Sequence, residues 1–425
     1  MTTTAYTSVV FCAYVVPTIP LIDQEVGDPD GPGYVGGQYI GLDDPVQDMT
    51  ARFQLVAAAA QQLYEEATAT RNDASVLHVF CIPEFFFRGK QGAYNTKSQA
   101  TDGGEDDLQR HASKLLRALA DQPKFQNWLF VLGTVLESDL DATASPEIKK
   151  KAKSRDHLVS AIVKAYKNSP DDEYRDFCFS LLTQTTEFAQ KRPLATIQNR
   201  CILYKPGSQD YPHGLCIDKK FISHEDFVVS YYAPTAYSEL SVAYPTMVEG
   251  DSEIKQSAFD GKSIFTMDGI TIAVEICLDH RRQRLQTVRQ TDRASASAVI
   301  DLQLVISCGM QLQQPSIVAR NGGPVFNCDG QYSKRSSGDL PDDSTSIWQG
   351  TKDGKGHTQF TVVKEAATTM NPKGHTDAVL ERPTDVTVTT TPLEIGADCT
   401  LDPTQIEAYG AGEVHLYSKF PLPQR

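Results

Sequence analysis

The sequence lacks both an excess of positive charge and any apolar run long enough to cross a membrane. It carries 40 Lys and Arg against 54 Asp and Glu, a formal net charge of -14. Nucleic acid and anionic membranes are bound by clustered basic residues, so neither is an expected partner. No stretch approaches the ~20 apolar residues of a membrane span, and the N-terminus lacks the basic start and cleavage site of a signal peptide. We therefore expect a cytoplasmic protein whose partner is a small molecule or another protein.

The cysteines show no C-x-x-C pair, which removes the simplest sequence signal for a zinc or redox motif. There are nine of them, an odd number scattered along a chain that is too long to need disulfide bonds for its stability. Most lie in apolar segments, as Cys81 and Cys201 do, where a buried and inert thiol is the ordinary interpretation. A reducing compartment fits this pattern, and few cysteines remain as candidates for chemistry.

The remaining pattern predicts an α/β fold, because short β-rich runs alternate with amphipathic helical stretches. Predicted strands cover residues 8–16, 76–82, 127–138, 195–207, 215–222, 269–277 and 386–395, and predicted helices cover 45–67 and 106–119. The whole chain, 1–425, is interpreted as one domain with a charged helical insertion at about 139–192. An extended C-terminal segment at about 335–425 completes it.

Three residues with reactive side chains lie at the ends of predicted buried strands, where α/β folds collect catalytic groups from distant positions. They are Glu84, Lys219 and Cys277. A thiol attacks an amide or nitrile carbon only as the thiolate, so it needs a base, for which the carboxylate is suited. A fixed ammonium can stabilise the negative oxygen of the resulting intermediate, by about 3 kcal/mol per donor. Each residue also has an ordinary interpretation, as a solvated carboxylate, a surface lysine or a core thiol.

The segments around these residues resemble the motifs of the nitrilase superfamily of carbon–nitrogen hydrolases, which share a Glu, Lys, Cys triad in that chain order. VFCIPE, which ends in Glu84, is similar to the family's apolar strand ending in Pro-Glu. IDKKFI, residues 217–222, is similar to the lysine motif and favours Lys219 over Lys220. ICLDHRR, which contains Cys277, closely resembles the motif Ile-Cys-x-Asp followed by Arg.

The resemblance implies a four-layer αββα sandwich, here with surface insertions, and assembly into a homodimer or higher homo-oligomer. It implies neither a metal nor an organic cofactor. The backbone N–H of Leu278 would help to bind the oxyanion, and a second Glu that orients the lysine would be Glu225, with Asp226 as its competitor. Phe221 departs from the family pattern, which usually has His there, and the spacings between triad residues are longer than usual.

The residues after the cysteine favour an amide or N-carbamoyl substrate over a nitrile. Nitrilases usually have Trp-Glu after the Cys, whereas Leu278-Asp279 followed by Arg281 and Arg282 is similar to amidases and carbamoylases. These two arginines, or Arg88, are candidates to bind a substrate carboxylate, although pairing with a protein carboxylate is the more frequent role.

Four alternatives stay open. The same scaffold could hydrolyse nitriles, or it could transfer the acyl group to an amine instead of water. A protease-like pair of Cys277 and His280 would leave the Glu and the Lys unexplained. A catalytically inactive binding protein is the non-enzymatic alternative.

Overall fold

The computed structural model describes residues 6–16, 18, 41–42, 44–88, 93–95, 108–138, 161, 165, 177, 197–221, 263–291, 293–330, 358–366, 368–371, 374–396, 399–401 and 411–423. Within these residues the fold is mixed α/β, with two large sheets and few helices. The strands are β1 (Ser8–Val15), β2 (Val76–Ile82), β3 (Tyr94–Asn95), β4 (Trp128–Ser138), β5 (Ile197–Tyr204), β6 (Leu215–Asp218), β7 (Ile264–Met267), β8 (Ile270–Ile276), β9 (Leu302–Ser307), β10 (Pro324–Asp329), β11 (Gln359–Glu365), β12 (Thr368–Asn371), β13 (Gly374–Thr376), β14 (Val379–Glu381), β15 (Val388–Pro392), β16 (Glu413–Tyr417) and β17 (Phe420–Pro421). The helices are α1 (Pro45–Glu66), α2 (Leu108–Ala120), α3 (Leu278–Arg281), α4 (Arg284–Thr291) and α5 (Arg293–Ala296), with 3-10 turns at Pro123–Phe125 and Gln314–Ser316.

The first sheet has the strand order β15-β16-β1-β2-β4-β5-β6, with β17 added to β1 and β3 added to β4. Its centre, β1, β2 and β4, is parallel, and the strands on either side are antiparallel. All seven residues of β2 are buried, as expected for a parallel strand that is covered on both faces.

The second sheet has the order β14-β11-β10-β9-β8-β7, and its centre, β8, β9 and β10, is also parallel. Apolar residues of both sheets form one core cluster, in which alternate residues of β1 meet alternate residues of β8, β9 and β10. Phe11 of the first sheet stacks on Phe326 of the second, with ring centroids 4.6 Å apart. The two sheets therefore pack through these faces, and the ends of both parallel centres can contribute to one site.

Helices pack on the other faces of the two sheets. Helix α1 begins after Asp44, whose carboxylate accepts hydrogen bonds from the first-turn N–H groups, and its apolar residues share a cluster with α2 and the first sheet. On the second sheet, Leu285 of α4 packs in a cluster with Ala273 of β8. Among the described residues, no helix is long and apolar enough to cross a membrane.

The sequence-based elements are confirmed for most of the described chain. The strand expected at 76–82 is found with those bounds, and those expected at 8–16, 127–138 and 269–277 differ from the observed strands by a residue at one or both ends. The expected arm at 215–222 was too long, because the strand ends at Asp218 and the backbone N–H groups of Lys220 and Phe221 bond to Asp279 instead.

The C-terminal segment contributes strands to both sheets. Strands β11 and β14 extend the second sheet, while β15, β16 and β17 extend the first, with β15 at the exposed edge as the sequence predicts. Apart from three isolated helical residues, the insertion predicted at about 139–192 lies outside the described residues. The assignment of the whole chain to one domain stays a prediction.

Candidate active site

Glu84 is placed by the end of a buried strand and by a contact with the opposite sheet. Strand β2 ends at Ile82, and Pro83 has no N–H with which to continue the ladder. The backbone N–H of Glu84 donates to the carbonyl of Ser307, at the end of β9, over 3.3 Å. The next residue, Phe85, has a φ of 63°, and its N–H donates to Thr134 Oγ1 at 2.8 Å. A tight, fixed turn therefore holds a carboxylate that is fully buried.

Lys219 meets this carboxylate directly. It follows the hairpin of β5 and β6, and its Nζ lies 2.8 Å from Glu84 Oε1, with side-chain exposures of 1% and 0%. The same oxygen accepts a hydrogen bond from Asn199 Nδ2 at 2.9 Å, and the Asn199 carbonyl accepts the backbone N–H of Lys219 at 2.9 Å. The neighbouring Lys220 is only partly buried, so the structure distinguishes the two lysines as the sequence does.

Cys277 stands at a sharp turn between β8 and α3. Its backbone has φ 46° and ψ −106°, a left-handed conformation that costs a non-glycine residue free energy and is concentrated at functional sites. The N–H of Cys277 donates to the Ile306 carbonyl, and its own carbonyl accepts the N–H of His280, both at 2.9 Å. Its Sγ lies 4.0 Å from the carbonyl oxygen of Cys308, and the residue is 6% exposed.

The three residues converge at the end of β9. Ile306 and Ser307 are consecutive, and their carbonyls accept the N–H groups of Cys277 and Glu84 respectively. Lys219 joins them through its ion pair with the carboxylate. Three residues that lie far apart in the sequence are thus brought to one edge of the packed sheets, as the strand-end argument predicts.

A buried carboxylate, Asp279, ties the cysteine turn to the lysine segment. It accepts the backbone N–H groups of Lys220 and Phe221, at 2.9 Å and 2.7 Å, and Arg284 Nη1 at 2.8 Å. Arg284 Nη1 also donates to the carbonyl of Asp218 at 2.6 Å. Burial raises the pKa of Asp279, whereas Arg284 and the two backbone N–H groups act in the opposite direction. The sequence motif contains Asp279, but its contacts with residues 218–221 could not be read from it.

The candidate substrate-binding arginines take different positions. Arg281 and Arg282 are exposed, and their role in binding a carboxylate stays a prediction. The buried arginine of this region is Arg284, which sequence reasoning missed. Arg88 is 3% exposed, and its guanidinium lies 4.4 Å from the centre of the ring of Phe85, the residue that follows Glu84.

Of the two residues expected to support the triad, Leu278 and Glu225, only Leu278 lies within the described residues. Leu278 is the first residue of α3, directly after the cysteine, and is partly exposed. Glu225 lies outside the described residues, as does its competitor Asp226.

His280 takes part in a hydrogen-bond network that does not include the thiol of Cys277. Its Nδ1 lies 2.6 Å from Glu275 Oε2, and its Nε2 accepts the backbone N–H of Gln313 at 2.9 Å. An acceptor at Nε2 places the ring proton on Nδ1, where it bonds to the carboxylate. Glu275 also accepts the N–H of Leu285, and the side chains of Glu275 and His280 are both fully buried. Both ring nitrogens are therefore occupied, which argues against a pair of Cys277 and His280. The sequence signal that could have predicted this network is Glu275, the one acidic residue in the apolar strand ITIAVEI.

Several other thiols are unsuited to nucleophilic chemistry. Burial raises the pKa of Cys81, Cys201, Cys216 and Cys328 well above the usual value, so these residues stay protonated. The interpretation of Cys81 and Cys201 as buried core residues is confirmed, since both are fully buried. Among the described residues, no group of three or more His, Cys, Asp or Glu side chains is placed to hold a metal ion.

Comparisons with protein families, with curated proteins and with solved structures found no match for this chain.

Proposed function

We propose that the protein is a cysteine-dependent hydrolase of non-peptide carbon–nitrogen bonds, with Cys277 as the nucleophile, Glu84 as the base and Lys219 as the oxyanion cation. One observation carries the proposal. A buried ion pair of Glu84 and Lys219 is bonded to the same strand end as a cysteine in a strained strand-to-helix turn. A buried pair is not in itself stabilising, so a catalytic role accounts for it better than a structural one.

In the first half of the reaction, Glu84 takes the thiol proton as the sulfur of Cys277 attacks the substrate carbon. The carbonyl oxygen gains a negative charge, which the ammonium of Lys219 and the backbone N–H of Leu278 stabilise. The tetrahedral intermediate then expels ammonia or an amine, which carries away the proton held by Glu84. A thioester on Cys277 remains.

In the second half, water replaces the departed amine. Glu84 takes a proton from this water, whose oxygen attacks the thioester carbon, and the same residues bind the second oxyanion. Expulsion of the thiolate releases the acid, and the proton returns from Glu84 to the sulfur. Asp279 holds the lysine segment against the cysteine turn, because it bonds to the residues that follow Lys219 and lies two residues after the nucleophile.

The resemblance to the nitrilase superfamily, and the four-layer αββα sandwich that it implies, form part of this proposal. What supports the layer order is the packing of α1 and α2 on the outer face of the first sheet and of α4 on the outer face of the second. A cytoplasmic location and a homo-oligomeric state are proposed with it. For the location, the support is that the eight described cysteines are all free thiols.

An amide or N-carbamoyl compound is the proposed substrate class. Nitrile hydrolysis and acyl transfer use the same triad, and each is distinguished from amide hydrolysis by a different observation. Nitriles and amides both give acid and ammonia in water, but only one of the two substrate classes will be turned over efficiently. Acyl transfer would instead give a new amide when an amine acceptor is added.

The test is a turnover assay of the purified protein on a panel of amides, N-carbamoyl compounds and nitriles. We expect Cys277→Ala, Glu84→Gln and Lys219→Met each to lower kcat/KM by at least ~10³, since each removes a group that acts in the transition state. Lys364→Met and Cys399→Ser serve as controls and should keep the activity. Amide hydrolysis retained by pure Cys277→Ala protein would refute the mechanism. Failure of every substrate to react, and of Cys277 to bind any electrophilic amide probe, would favour the inactive binding protein.

A further inference from the structure

A second thiol, that of Cys308, lies beside Cys277. The two residues follow the ends of neighbouring parallel strands, β8 and β9, whose last register pair is Ile276 with Ile306. The Sγ of Cys277 is 4.0 Å from the carbonyl oxygen of Cys308. Both residues are slightly exposed, at 6% and 8%, so a small polar reagent can reach this point of the fold.

The two cysteines lie just beyond the ends of neighbouring strands. Ile276 and Ile306 are paired in register and both belong to the core cluster between the sheets, and Cys308 follows Ile306 by two residues, just after β9. Cys277 belongs to the same core cluster. Adjacent strands lie about 4.8 Å apart, which is close to the separation that a disulfide between neighbouring strands requires.

The turn after Cys308 is held in place. Gly309 has a φ of 94°, a conformation that favours glycine, and its N–H donates to Asp329 Oδ1 at 2.5 Å. The Ser307 carbonyl accepts the N–H groups of both Glu84 and Gly330. The backbone on either side of Cys308 is therefore fixed next to Cys277.

We propose that Cys308 is a resolving thiol, which captures the oxidised form of Cys277 in a reversible disulfide. This inference rests on the proposed function in one respect, since a nucleophilic thiolate is also the form that peroxides oxidise. The thiolate of Cys277 attacks hydrogen peroxide and becomes a sulfenic acid, with release of hydroxide. The sulfur of Cys308 then attacks the sulfenic sulfur, the S–O bond breaks, and the departing hydroxide takes the thiol proton of Cys308 to form water. A dithiol reductant reverses the change by supplying two electrons and two protons.

The disulfide would switch the site off and protect it. It occupies the sulfur of Cys277, so no thioester can form. It also keeps the sulfenic acid from a second oxidation to the sulfinic acid, which thiols do not reverse. The other cysteine near this strand, Cys328, is fully buried, and burial raises its pKa far above the usual value, so it is a poor competitor.

The test is peptide mapping of the purified full chain after brief exposure to hydrogen peroxide and alkylation of the remaining thiols. Trypsin cleaves after Arg281 and Arg293, so the two cysteines fall in different peptides. The expected product is a peptide pair that contains Cys277 and Cys308, lighter by two hydrogens than the sum of its parts and absent after reduction. Cys277 found as sulfenic or sulfinic acid without the linked pair would overturn the inference but leave the proposed function standing. Cys277 found unmodified would also overturn the inference. The proposed function would then still be tested separately, by detection of a thioester on Cys277.

Two variants test whether the thiol next to Cys277 is needed, or whether any exposed thiol of the chain would serve. In Cys308→Ser, the linked peptide pair should be absent. After treatment with peroxide and then with dithiothreitol, the labelling of Cys277 by iodoacetamide should recover to less than about a tenth of the wild-type level, because the sulfinic acid accumulates. Cys399→Ser removes a more exposed thiol that packs near the other core cluster, and it should behave as wild type. Equal recovery in wild type and Cys308→Ser would contradict the proposal. The cross-link in the wild type provides a readout that does not depend on the folding of either variant.

Discussion

Removal of the ammonium from the buried ion pair gives the most quantitative prediction about this site. In Lys219→Met, the carboxylate of Glu84 loses a partner at 2.8 Å while it stays buried. Removal of one member of a buried pair costs about 3–5 kcal/mol of the free energy of unfolding, because an uncompensated charge remains. Asn199 still donates to the same oxygen, so the lower end of this range is expected.

The double variant Glu84→Gln/Lys219→Met tests the origin of that cost. It removes both charges of the buried pair. Its loss in the free energy of unfolding should therefore be smaller than the sum of the losses in the two single variants, and the difference, the coupling energy, should be about 1–3 kcal/mol. Lys364→Met is a matched control. It makes the same substitution in an ion pair with Glu381 at 3.5 Å, whose side chains are 60% and 59% exposed, and should cost less than about 1 kcal/mol.

The assay is urea unfolding followed by far-UV circular dichroism, with each variant compared at the same pH and salt concentration. Equal losses in Lys219→Met and Lys364→Met would refute the reasoning. Strict additivity in the double variant would refute it too, since the two groups would then not interact.

Two further predictions concern the packing around the first sheet. Burial lowers the pKa of His78 from 6.5 to about 4, so the unfolded chain takes up a proton in this range that the folded chain does not. Stability should be complete above pH 6.5 and fall by up to about 3 kcal/mol as the pH drops to 4. Chemical unfolding of His78→Gln should show less of this acid loss, and the exposed His213→Gln should keep all of it. At Gly133, with φ +35°, an added Cβ would lie 2.0 Å from the carbonyl oxygen of Pro83, the residue before Glu84. Gly133→Ala should therefore lower both the melting temperature and turnover, whereas Gly269→Ala, with φ +83° and no atom within 4 Å, should show only the smaller cost of a left-handed alanine. Equal effects of the two substitutions on turnover would show that the Pro83 contact does not position the site.

Local patterns were sufficient for several strands, among them β1, β2, β4 and β8, and for the triad candidates, whereas β9, β10 and most of the C-terminal strands were not predicted. Strand β2 is a continuous apolar run that ends at a proline, and a parallel strand buried on both faces requires such a run. Because α/β folds collect catalytic groups at strand ends, the positions of Glu84 and Cys277 after β2 and β8 predicted that they come together, although these strands belong to different sheets. This expectation needed no knowledge of the loops.

Contacts between distant residues could not be predicted in the same way. Lys219 looks like an ordinary surface lysine beside Asp218 and Lys220, and its burial depends on a carboxylate 135 residues earlier in the chain. The burial of Arg284, rather than of the arginines nearer to the cysteine, could not be predicted either. Gln283 has a left-handed φ of 56°, which changes the chain direction between α3 and α4 and turns Arg284 inward, while Arg281 stays exposed.

The C-terminal strands illustrate a third limit. The strand predicted at 386–395 was recognised by its alternating β-branched residues, but its partner was not, since edge strands pair through backbone groups that carry no side-chain signature. The pairing of β16 with β1 joins residues about 400 positions apart in the chain, for example Cys12 with Leu416. Sequence alone therefore predicted the element and left its sheet unassigned.

The central claim is that Cys277 forms a covalent intermediate, and peptide mapping after rapid acid quenching of the protein with an amide or N-carbamoyl substrate tests it most directly. The account predicts an acyl group on the peptide that contains Cys277, absent in Cys277→Ala and present in Cys399→Ser. An acyl group found on another cysteine, or product formed by Cys277→Ala at the wild-type rate, would contradict it.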